Sequence, residues 1–171
     1  MIERPSSAAG LAAENLRQTL GGFRWSQFAT IYGRLALGAA FLSGIADRFG
    51  LYRGRNVGYG NFEGFVRYTA QVNSFMPAST IPFLAWAATA AEFSLGVLLI
   101  AGIWRRPVAI ASAILLVLFG TAMAISFGIK SPLDYSVFSA SSAAVLLAVY
   151  SPPKRKSSAL ENKPVQNWDV I

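Results

Sequence analysis

The chain has 171 residues, 54% of them hydrophobic and only 13% charged, with a formal charge of +7. Ordinary soluble domains carry about 25% charged residues, so the composition points to an integral membrane protein without room for a separate soluble enzyme domain. Cysteine and histidine are both absent, which excludes thiol–disulfide exchange, Cys or His metal sites, and haem held by either residue.

In chain order, residues 1–27 read as a cytoplasmic N-terminal segment, polar apart from a stretch able to form a short surface helix. The first apolar window, 28–46, is too far from the N-terminus for a signal peptide, carries Arg34 and lacks a small-residue cleavage pattern. It is expected to be a retained transmembrane helix. Three further windows follow at 81–103, 108–129 and 133–150. Each has the roughly 18 to 23 residues needed to cross a hydrocarbon core of about 30 Å. The sequence therefore predicts an all-α membrane protein, a four-transmembrane-helix bundle over 28–150.

The long connection 47–79 is Gly-rich at its start and then places Phe62, Phe65, Val66 and Thr69 at helical spacing. That pattern predicts an extracytoplasmic amphipathic helix in the first loop, over the bundle mouth or on the lipid interface. Asp47 and Arg48 read as interfacial residues at the exit of helix one. The link Trp104-Arg105-Arg106-Pro107 is a tight turn that sets the second and third spans antiparallel. Ser131-Pro132-Leu133-Asp134 has the form of a capping box, with Ser131 as N-cap and Asp134 reaching back to the cap amide. Lys130 beside Asp134 reads as a surface pair. Small residues at spacing four, namely Ala36, Ala40 and Gly44, Gly120 and Ala124, Ala140 and Ala144, predict close helix packing.

Residues 151–171 form a basic tail, cytoplasmic like the N-terminus by the distribution of Lys and Arg. The positive charge lies at the ends of apolar segments, so anionic lipid headgroups and not nucleic acid are the expected partner. One membrane carboxylate with scattered surface acids makes a poor oxygen cage, and no metal is expected.

Glu92 is the lone carboxylate in the 23-residue run 81–103. An acid at the centre of a span costs about 2.5 to 3.5 kcal/mol on insertion scales, so pairing, protonation or water must offset it. Measured from the cytoplasmic side, Arg34 lies about 9 to 13 Å deep and Glu92 about 16 Å, within reach of a bent Arg side chain. Arg34 and Glu92 are the candidate site residues. They either bind the polar end of a small amphipathic molecule such as a quinone, carry a proton, or form an ion pair that fixes helix register. No Ser or Thr in the spans has a base in reach, and no nucleophile is expected.

Arg34-Leu-Ala-Leu-Gly38 with Phe41 and Gly44, Ala91-Glu92 followed by Gly96 and Leu98-Leu-Ile-Ala-Gly102, and Arg105-Arg106 before an Ala-rich helix together resemble the DoxX family of small four-helix membrane proteins. Where members often carry Lys after the helix-one glycine, this chain has Asp47-Arg48. The resemblance implies a subunit of a quinone-linked oxidoreductase or oxidative-stress complex, or an assembly protein for membrane complexes. The resulting expectation is an accessory subunit of the bacterial inner membrane, more than a stand-alone enzyme. It would have no metal or covalent cofactor, a quinone as its ligand, and a membrane protein or a second copy as partner. The alternative is a structural or assembly subunit without ligand chemistry.

Overall fold

The computed structural model describes residues 8–150 apart from 53, 55 and 56, with side chains described from residue 25 onward. Expectations that fall on residues 1–7, on side chains before residue 25, or on the tail 151–171 lie outside the described residues. The regular structure among the described residues is helical throughout: α1 (Ala8–Arg48), α2 (Phe62–Val72), a 3-10 turn (Ala78–Thr80), α3 (Ile81–Ala101), α4 (Arg105–Phe127), α5 (Lys130–Asp134) and α6 (Val137–Tyr150). Among the described residues, three segments are long and apolar enough to cross a membrane: Trp25–Arg48, Ala78–Ala101 and Arg105–Phe127.

α1 packs chiefly on α3, and α4 chiefly on α6. The core forms where the two pairs meet, around Leu37, Phe41, Leu99, Val108, Leu116 and Leu147. α3 opens with a proline in its first turn and ends at Gly102, whose φ of 70° is a left-handed C-cap. Trp104, at φ 44°, completes the reversal into α4.

The window 133–150 is not one helix. α5 ends and Ser136 takes a φ of 55° before α6 begins. α6 has 14 residues, about 21 Å of helix, which is shorter than a hydrocarbon core. The capping box does not form either. Gly128, at φ 83°, turns the chain early enough for the helix to start at Lys130, and the Ser131 amide donates to the Gly128 carbonyl at 3.1 Å. Asp134 pairs instead with Lys130 one turn back, as a surface pair.

Close helix approach falls partly on the expected small residues. Gly120 lies against the Phe138 ring, and Ala144 is fully buried between helices. On α1, Ala36 and Ala40 are exposed; the approach to α3 is made by Gly38, which lies against the carbonyl of Gly96.

Gly38 faces Gly96 and Gly44 faces Glu92, so α1 stops opposite Thr89 while α3 runs on to Ile81. α2 fills the space that remains. Its buried face is Phe65, Thr69 and Val72. Phe62 packs its ring 4.3 Å from that of Trp86, and the Ser126 hydroxyl of α4 donates to the Val72 carbonyl at 2.6 Å. The helix starts cleanly because the Asn61 side chain accepts the Gly64 amide at 2.7 Å.

Candidate functional site

Glu92 lies near the middle of α3, at the centre of a stripe of residues at spacing four and three: Ala85, Thr89, Glu92, Gly96 and Leu99 are all buried. The matching stripe on α1 is Arg34, Gly38, Phe41 and Arg48. The two run antiparallel, so each arginine meets a different part of α3.

Arg34 does not pair with Glu92. The Gly38–Gly96 contact puts it opposite the last turn of α3, eight residues beyond Glu92 and therefore about 12 Å away along the axis. There its Nε donates to the Leu99 carbonyl at 2.9 Å and its Nη2 to the Ile100 carbonyl at 3.4 Å. A cation on the unsatisfied carbonyls of a helix C-terminus completes the hydrogen bonding of that turn and opposes its dipole. Gly102 leaves the room: a Cβ there would land on the Arg34 guanidinium. Gly102→Ala is expected to lower stability by about 2 kcal/mol through the left-handed φ and the displaced guanidinium. Thermal unfolding in a fixed detergent measures the loss, and an Arg34→Ala background should return the part due to the collision.

The partner of Glu92 is Arg48. Its Nη2 donates to both carboxylate oxygens, at 2.7 and 2.8 Å, and its Nη1 donates to the Thr89 hydroxyl at 3.1 Å. That hydroxyl in turn donates to the Ala85 carbonyl at 2.8 Å. Arg48 is 3% exposed and Glu92 5%. The Arg48 reading as an interfacial residue is thus corrected: α1 runs two residues past the apolar window, and the carboxylate draws the guanidinium inside. The Phe65 ring of α2 covers the guanidinium, 3.6 Å from its Cζ, and the Tyr59 ring lies 5.9 Å away. Such ring faces attract a cation most strongly where water is excluded.

Asp47 is buried as well, and it organises the loop that brings Tyr59 into place. Its Oδ2 accepts the amides of Gly58 and Tyr59 at 3.0 and 2.9 Å. Gly58 is required at this point, since a Cβ there would come within 2.8 Å of Oδ2. Neighbouring side chains at the end of α1 thus hold α3 through Arg48 and the loop through Asp47.

Burial pushes the Tyr59 phenol up to about 12, with Tyr68 adding to the shift. A folded-state value above the unfolded one means that the neutral phenol stabilises the fold below about pH 10, and that this contribution is lost as pH rises from 10 towards 12. The ultraviolet difference titration of wild type against Tyr59→Phe should show one phenol ionising near the upper limit, with unfolding moved to higher pH in the variant.

Among the described residues, Arg48 Nε is a buried side-chain polar atom without a hydrogen-bond partner. The site thus contains a saturated ion pair, a ring lid and one free donor. No group of three or more potential metal-ligating His, Cys, Asp or Glu side chains occurs among the described residues. Sequence reasoning found Glu92 but missed Arg48, Thr89, Asp47 and Phe65. The signal was present: Arg48 lies fourteen residues after Arg34, on the same helical face.

A family model described as DoxX matches residues 29–128, which covers α1 from the start of its apolar part through α4 and includes every residue of this site. No curated protein and no solved structure matches the chain.

Proposed function

The chain belongs to the DoxX family, and from that premise we propose that it is an accessory integral-membrane subunit of a redox complex. In this reading the Arg48–Glu92 pair, beneath α2, forms the polar end of a site for a quinone-type head group. The free Arg48 Nε carries the reading. A quinone presents carbonyl acceptors on a flat ring, and here an unused charged donor lies beside the rings of Phe65 and Tyr59. The chain's own residues would bind and orient the head group and exclude water; electron transfer would belong to the quinone and to a partner subunit, since the chain has neither Cys nor His. Because Arg48 is nearly inaccessible, binding requires α2 to shift.

Native mass spectrometry of gently extracted protein with an added short-chain quinone tests this. Wild type should carry one quinone adduct, and Arg48→Lys, which keeps the charge and removes Nε, should lose it. Protein partners retained equally by wild type, Arg48→Lys and Glu92→Gln, without a quinone adduct in any of them, would favour the second reading. That reading is a structural or assembly subunit, and the specific observation behind it is that Arg48 already occupies both oxygens of Glu92.

The proposal includes a topology of four crossings in the bacterial inner membrane, with α5 and α6 together as the fourth, both termini cytoplasmic and α2 outside. The absence of native cysteine makes this directly measurable. A membrane-impermeant maleimide applied to intact cells should label Leu51→Cys, and should label Trp104→Cys only after permeabilisation.

A further inference from the structure

A groove of about 480 Å³ runs along the outside of the bundle between α4 and α6. Ile110 and Ile114 wall it on one side, Val145 and Val149 on the other, and all four are exposed. On its floor the Ser141 hydroxyl is committed to the Ala113 carbonyl at 3.2 Å, so the groove wall offers little to a polar occupant. Its polar exception is Arg106, which lies at one end, in the first turn of α4.

That end also marks a membrane surface. Trp104 and Tyr150 are strongly exposed beside it, as aromatic residues are at the headgroup level, and Arg105 precedes Arg106. None of the ion pairs among the described residues uses either arginine. The groove therefore starts at headgroup level under a cation and descends as an apolar channel into the hydrocarbon.

We propose that this groove holds one acyl chain of an anionic phospholipid, with the lipid phosphate on Arg106. Charge complementarity selects the occupant. A second copy of the chain or a partner helix would bury the apolar walls equally well, whereas a phospholipid supplies an acyl chain for the groove and a phosphate for Arg106 in one molecule, at the spacing of headgroup and hydrocarbon. This binding is independent of the Arg48–Glu92 site between α1 and α3, with which the groove shares no residue.

Native mass spectrometry with mixed dioleoyl phosphatidylglycerol and dioleoyl phosphatidylcholine tests the proposal, because both lipids bring the same chains. Wild type should retain one phosphatidylglycerol in preference to phosphatidylcholine. Arg106→Gln should weaken that preference about fivefold, the effect of one cation near a lipid surface, while Arg105→Gln, an equal change of charge outside the groove, should leave it largely intact. Val145→Trp fills the groove from its exposed rim and should exclude the lipid while Arg106 remains. Equal losses in Arg105→Gln and Arg106→Gln, an undiminished adduct in Val145→Trp, or a dimer that forms in wild type and disappears in Val145→Trp would each overturn it.

Discussion

Arg48→Ala is expected to lower stability by about 3 to 5 kcal/mol, the usual effect of removing one member of a buried ion pair. The variant leaves the Glu92 carboxylate, 5% exposed, without the two hydrogen bonds that Nη2 supplies, and it leaves the Thr89 hydroxyl without its donor. It also opens a void beneath Phe65. Glu92→Gln should cost less, because a neutral amide oxygen still accepts from Arg48. The joint replacement Arg48→Met with Glu92→Met should be more stable than Arg48→Ala, since well-packed apolar residues need no compensating charge. Thermal unfolding of the four proteins in one detergent at one scan rate decides the matter. A loss within about 0.5 kcal/mol for Arg48→Ala, the range of ordinary surface changes, would mean that water reaches the guanidinium and that α2 does not seal it.

Glu92 was legible in the sequence because a single carboxylate among more than twenty apolar residues has only a few ways to be tolerated. Its partner is not, because hydropathy ends the first helix at Ala46 and a charge just past that end reads as the sign of the interface. The favourable pairing extends the helix by the two residues that hydropathy discards. Depth counted from helix ends also misled. It sets the start of the first apolar window level with the end of the second, whereas α1 begins well beyond the last turn of α3, and Arg34 meets that turn instead of Glu92. The helix register depends on where two glycines cross, which apolar length does not encode. The division of α5 from α6 is hidden for a related reason: the break at Tyr135 and Ser136 contains neither Gly nor Pro, although Ser136 takes a left-handed φ of 55°. α2, by contrast, was readable from its spacing, since Phe65 and Thr69 must share a face whichever surface they cover.

The crossing of α1 and α3 is where a small change should have consequences at both arginines. Gly38→Val is expected to destabilise the protein by about 3 kcal/mol, the upper part of the range for overpacking. A Cβ at 38 would come within 2.7 Å of the Ile100 side chain and 2.9 Å of the Gly96 carbonyl oxygen. The Ile100 contact can be relieved by a rotamer change, but the backbone oxygen can move only with α3. In a membrane, apolar burial adds little drive between helices, so lost van der Waals contact is not recovered elsewhere. Separation at this point would lengthen the Arg34 bonds to the α3 carbonyls on one side and the Arg48 bonds to Glu92 on the other, as both depend on the same antiparallel register. Gly38→Val should therefore be less than additive with Arg48→Ala, because the first substitution already weakens what the second removes. Additive losses in the double variant would show that Gly38 acts only locally. A Gly38→Val protein with wild-type unfolding would remove the close approach of α1 and α3 as the feature that brings Arg48 to Glu92.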